Sequence, residues 1–287
     1  MLIRVGYELV FQLPAQTAMT LLLRIHPSRE ADIRYQEVTI EPEVEVEAFV
    51  DSFGNRCERI VAPAGRLRLW ADAIVHDSGE PDAIHAHAQQ APVEALPHAV
   101  LPYLMSSRYC EVDQLNSSAW ELFGDTAPGW ARVQAICDWV HRHVKFGYPF
   151  ARNTKSALDT YVERTAVCRD FMHLAITFCR CMNIPARYVS GYLGDIGIAP
   201  FPDPMDFSAW FEVWLEGRWH TFDARHNKPR IGRILMSTGR DATDTALTTS
   251  IGNAPLVGFK VWTDEQAGEK KDEGGRRKDE EVSRCAR

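Results

Sequence analysis

Residues Thr165 to Tyr192 read TAVCRDFMHLAITFCRCMNIPARYVSGY. A short loop delivers Cys168. Behind it Phe171, Leu174, Ala175, Phe178 and Met182 recur three and four apart, the period of a helix with one buried face. Asn183 and Pro185 stop that helix, and Ala186 to Leu193 reads as a strand. Cys168 therefore opens a helix, where unpaired backbone N–H groups and the positive end of the helix dipole favour a thiolate. A nucleophilic cysteine would be placed in this way. Asp170, two residues on, stabilises the first turn by the same dipole and works against the thiolate.

Downstream, Phe207 to Leu215 and Arg218 to Ala224 flank Glu216-Gly217, a two-residue hairpin turn. If Leu215 faces Arg218, then Val213 faces His220, Phe211 faces Phe222 and Ala209 faces Ala224. One surface is mainly apolar and suits a core. The other carries Ser208, Trp210 and Glu212 beside Thr221, Asp223 and Arg225. Residues 225 to 255 read as loop, with a short helix at Asp241 to Ala246. Leu256 to Trp262 reads as a last strand.

Upstream, residues 99 to 163 read as helical. Val112 to Phe123 ends at Gly124, and Pro128 opens a stronger helix with Val133, Ile136, Val140 and Val144 on one face. A loop with Tyr148 and a short helix at Ser156 to Glu163 lead into the Cys168 loop. Residues 1 to 80 alternate as short strands, beginning with YELVFQL and turning at Asp51 to Asn55, the pattern of a small β-sandwich. This divides the chain into a β domain (1–80), a Pro-, Ala- and His-rich linker (81–98), an α+β domain (99–263) and a charged, disordered tail (264–287).

The 287 residues carry a net charge of -7, which argues against a nucleic-acid or anionic-membrane partner. No apolar run reaches the length of a membrane span, and the N-terminus lacks the layout of a signal peptide. The seven cysteines are odd in number and scattered, as expected of free thiols in a reducing, cytoplasmic setting. Cys179 and Cys181 point roughly 200° apart on a helix and cannot share a metal. His85 and His87 supply only two ligands. No phosphate-binding glycine loop occurs, so no cofactor and no metal are expected.

The stretch VCRDFMHLAITFCRCMNIPARYVSGYL resembles the nucleophile helix and following strand of the transglutaminase-like superfamily, part of the papain-like cysteine enzymes. DFSAWFEVWLEGRWHTFDARHN resembles its histidine–aspartate hairpin, and the all-β start resembles the N-terminal domain of bacterial members. The resemblance implies an α+β core with a nucleophile helix on an antiparallel sheet. It implies acyl transfer through a thioester, with Cys168 as nucleophile, Asp223 as the acid that orients a histidine, and the N–H of Cys168 as one oxyanion donor. The substrate would be a peptide, amide or small molecule, with Trp210, Arg169 and Tyr148 as candidate binding residues.

One position departs from the pattern. The family's histidine falls where Ser208 stands, and a hydroxyl is no general base near neutral pH. His226, just past the hairpin, could curl back toward Asp223. His220 faces the core by strand alternation, and His173 lies roughly 140° from Cys168 around the helix. Three readings stay open: a cysteine-dependent amide or peptide hydrolase or acyl transferase, a pseudoenzyme or binding module on the same fold, and a redirected chemistry of Cys168 and Asp223.

Overall fold

A computed structural model describes residues 1–201 and 204–266. In chain order the elements are β1 (Leu2–Leu13), β2 (Thr17–Leu21), β3 (Ile33–Glu41), β4 (Val46–Val50), β5 (Arg56–Ala62) and β6 (Gly65–His76). Then come α1 (Val112–Phe123), α2 (Trp130–His143), β7 (Lys145–Phe146), α3 (Ala157–Glu163), β8 (Thr165–Ala166) and α4 (Cys168–Cys181). The chain continues through β9 (Ala186–Tyr192), β10 (Ser208–Leu215), β11 (Arg218–Phe222), β12 (Ile234–Gly239), β13 (Thr248–Ile251) and β14 (Leu256–Gln266).

Two four-stranded sheets, β14-β1-β6-β3 and β13-β2-β5-β4, form the sandwich. Alternate residues of β1 and β6, such as Val5, Leu9, Leu67 and Leu69, meet Met19, Leu21 and Ile60 of the second sheet in one core. The sandwich is completed by the chain's other end, because β13 pairs with β2 and β14 with β1. The last strand runs four residues beyond the expected Trp262, to Gln266. The rest of the expected disordered tail, residues 267–287, lies outside the described residues.

The second module has an antiparallel sheet in the order β11-β10-β9-β12. Helix α4 packs on it and is enclosed by α1, α2 and α3. Phe171, Leu174, Ala175, Phe178 and Met182 are buried with Phe211, Val213 and Leu215 of β10 and Val133, Ile136 and Val140 of α2. The hairpin register pairs Leu215 with Arg218, Val213 with His220 and Phe211 with Phe222. β12 lies in a region expected to be loop, and Asp241 to Ala246 forms turns rather than a helix.

The segment expected as a linker is anchored. Asp82 accepts from the backbone N–H of Arg230 (2.9 Å) and from Arg233 Nε (2.9 Å). His85 packs on Trp130 and His220 and meets Arg218. Tyr192, Phe207, Ile234 and Met236 of the second module join the sandwich core, so the two modules share apolar contact.

Candidate active site

Cys168 is the first residue of α4, where its N–H has no intrahelical acceptor. Val167 before it has no side-chain oxygen to cap the helix. Asp170 does this instead, with Oδ2 accepting from the N–H of Val167 at 3.1 Å. Asp170 is fully buried, and burial pushes its carboxyl above the usual range against the pull of Arg169. Arg169 Nε donates to Asp170 Oδ1 (3.1 Å) and Nη2 to the Arg152 carbonyl (2.7 Å). Its guanidinium is thus committed to fixing the helix start. The approach to Cys168 is tied by parallel pairing of β7 with β8 and by Lys155 Nζ, which donates to the Thr165 carbonyl at 2.7 Å.

Cys168 is half-buried, whereas Cys57, Cys110, Cys137, Cys179 and Cys181 are buried. Burial pushes the Cys168 thiol up to about 11, reinforced by Asp206 and Asp170 and opposed by the charge of Arg225 and the N–H of Arg169. The helix terminus alone does not leave a resting thiolate. Two clefts meet at this residue, of about 440 Å³ and 640 Å³. Cys168, Tyr148, Asp206, Phe207 and Ser208 line both. Ser208 opens β10 and pairs with Gly191, where a Cβ would lie 2.2 Å from the Ile234 carbonyl oxygen and 2.7 Å from the Trp210 ring.

Asp223 follows the end of β11, in a turn closed by Asn227 N–H to its carbonyl (2.8 Å). That turn brings His226 back. Asp223 Oδ1 accepts from the N–H groups of Arg225 (3.0 Å) and His226 (2.9 Å). Oδ2 meets His226 Nδ1 at 2.8 Å and accepts from Arg233 Nη2 at 3.0 Å. Burial alone would raise this carboxyl, but the His226 hydrogen bond and the charge of Arg233 outweigh it and hold Asp223 well below the usual range. A carboxylate at Nδ1 fixes the neutral tautomer with the proton on Nδ1, leaving Nε2 as acceptor. His226 lines the 440 Å³ cleft with Cys168. Asp223 lies behind it, lining a smaller hollow with Trp130, Gln134 and Cys137. Among the described residues no imidazole hydrogen-bonds the Cys168 sulfur.

The other candidates sit elsewhere. Trp210 is buried under Arg233, 5.1 Å from its ring, and borders a separate hollow with Glu212 and Thr221. It shares a sheet face with Ser208 but does not line either Cys168 cleft. His220 is buried against the Leu215 carbonyl. His173 is sealed, stacked on Tyr109, with Nε2 accepting from the N–H of Ala242 at 3.1 Å; burial pushes it down to about 3. Asp206 and Arg225 also line the cleft and were not among the expected site residues. Asp206 precedes Ser208 by two, and Arg225 sits between Asp223 and His226. Strand alternation and the Asp-Ala-Arg-His run were the available signals.

The family model for the transglutaminase-like superfamily matches residues 119–224. The crystal structure of a proposed cysteine protease from Cytophaga hutchinsonii is 30% identical, with a TM-score of 0.80, over 92% of this chain and 90% of that one. An uncharacterised protein of Mycobacterium leprae is 36% identical over 93 residues, 32% of this chain and 33% of its own length. An uncharacterised protein of Mycobacterium bovis is 27% identical over 214 residues, 68% of each chain. The chain thus spans about a third of the first of these mycobacterial relatives. Among the described residues no helix is long and apolar enough to cross a membrane.

Proposed function

The chain belongs to the transglutaminase-like superfamily, and from that premise we propose that it is a cysteine-dependent acyl-transfer enzyme cleaving an amide or peptide bond. Cys168 is the nucleophile, and His226, oriented by Asp223, takes the place of the imidazole that Ser208 does not provide. The observation that carries this reading is His226, held by Asp223 at 2.8 Å, on the same cleft as Cys168.

His226 Nε2, directly or through one water, removes the thiol proton as sulfur attacks the carbonyl carbon. The C–S bond forms and the carbonyl π pair moves to oxygen, facing the free N–H of Cys168. Collapse breaks the C–N bond, and the leaving nitrogen takes the proton back from the imidazolium. A thioester on Cys168 remains, to be resolved by water or by an amine. Asp223 stays ionised and compensates the imidazolium. A thiol held near 11 suits proton removal during attack rather than a standing ion pair.

The test is acid quench of the protein with a peptide and carboxamide library, followed by peptide mapping. A hydroxylamine-labile adduct on the Cys168 peptide, absent from Cys168→Ala, is the expected result. Ser208 and the protonated thiol favour one second reading, a binding module on the same fold. Ligands retained equally by wild type and Cys168→Ala, with no adduct at any quench time, would establish that reading instead.

A further inference from the structure

The cleft beside Cys168 holds a cation whose donors are unused. The Arg225 guanidinium lies 3.8 Å from the centroid of Phe146 and 5.9 Å from that of Phe201. Its side chain makes no hydrogen bond or ion pair among the described residues. The neighbouring arginines differ in this respect. Arg230 Nη2 donates to the Gly194 carbonyl at 2.8 Å and meets Asp195 at 3.7 Å, and Arg233 is shared by Asp82 and Asp223.

A guanidinium presents five donors in a planar fork that matches a carboxylate. Between aromatic rings that fork is held in one orientation. The same wall contains Leu193, Ile198 and Met205, with Lys228 exposed at the edge. Two carboxylates line the same cleft as Arg225. Asp195 is engaged by Arg230 and by the N–H of Phe201 at 2.7 Å. Burial pushes the Asp206 carboxyl up against the pull of the Phe207 N–H and the charge of Arg225, and it forms no ion pair with Arg225 among the described residues.

We propose that Arg225, with Lys228 at the cleft edge, is a carboxylate-binding site that selects an anionic acyl donor: a carboxamide or peptide bearing a carboxylate near the scissile carbonyl, its apolar body against Phe146 and Phe201. This rests on the cleft being the acyl-donor site of the proposed enzyme. Arg225 holds the substrate, and the reacting groups remain Cys168 and His226.

Two measurements separate this proposal from the parent reading. The first is calorimetry on Cys168→Ala, which needs no chemistry, with glutaramate and its methyl ester as probes. The carboxylate should bind about 10- to 100-fold tighter than the ester, the range of a charge-assisted hydrogen bond. Arg225→Gln should remove the difference, Arg225→Lys should keep part of it, and Asp206→Asn should enlarge it. Equal affinity, no binding of glutaramate, or discrimination that survives Arg225→Gln overturns the proposal.

The second is the rate of Cys168 alkylation by iodoacetate relative to iodoacetamide, where a C–S bond forms as C–I breaks and iodide leaves. The ratio should exceed that of N-acetylcysteine about tenfold or more and fall to it in Arg225→Gln. A ratio equal to the free thiol's overturns the proposal. Failure of both reagents to label Cys168 counts against the parent reading, and the calorimetry then decides the carboxylate site alone.

Discussion

His173 and His226 are both within reach of the nucleophile helix in sequence or space, yet they have opposite environments. His173 is carried by α4 itself, is fully buried, and has Nε2 occupied by the N–H of Ala242. His226 comes from a turn past a distant hairpin, its side chain is 23% exposed, and Nδ1 is held by a carboxylate. At His173 burial outweighs the charge of Asp241 and pushes the ring down to about 3, against the imidazolium. At His226 a buried carboxylate, itself braced by Arg233, holds Nδ1 at 2.8 Å. Proximity along a helix does not bring a histidine to the Cys168 cleft: His226 lines it and His173 does not.

The comparison breaks first at its strongest point. Asp223→Ala leaves Arg233 buried without that partner and His226 without orientation, and should lower stability by about 3–5 kcal/mol in urea unfolding. Asp223→Asn isolates the charge. The folded-state pKa is depressed, so the stability from this group is present above the unfolded value of about 4 and is lost as pH falls below it. The Asn variant should show a flatter acid limb there, and an unchanged limb would remove Asp223 from the account.

His173 should have a smaller effect in a different window. His173→Leu leaves the Ala242 N–H unpaired and should destabilise by about 1–3 kcal/mol. The folded pKa of His173 is also depressed, to about 3. Its stability contribution is therefore whole above the unfolded value of about 6.5 and declines as pH drops from there toward 3. Thermal melts between pH 7 and 4 should lose slope in His173→Leu while cleft chemistry stays intact. A change in the pH profile of Cys168 acylation in that variant would mean that His173 serves the site after all.

The hairpin was legible because period-2 alternation and a two-residue turn specify register, and Val213–His220 and Phe211–Phe222 pair accordingly. Helix α4 was legible from its apolar period. β12 and β13 were not, since they are short, flanked by Pro229, Gly232 and Gly252, and stabilised by β9 and β2 far away in sequence. Alternation put Trp210 on the same face as Ser208 but could not say how far a cleft extends along a strand. Arg225 needed Phe146 from β7 and Phe201 from a loop far away in sequence from it. The return of His226 to Asp223 depended on a turn whose closing bond, Asn227 to Asp223, no sequence period announces.

The central claim is that His226 is the base for Cys168. It is tested most directly by the pH dependence of Cys168 acylation with p-nitrophenyl acetate, comparing wild type with His226→Asn. Wild type should acylate across the neutral range, and His226→Asn should lose about 10²–10⁴-fold there, the usual contribution of a general base. What remains in the variant should rise only with the thiol's own ionisation, toward about 11. Superimposable profiles for the two proteins would contradict the account.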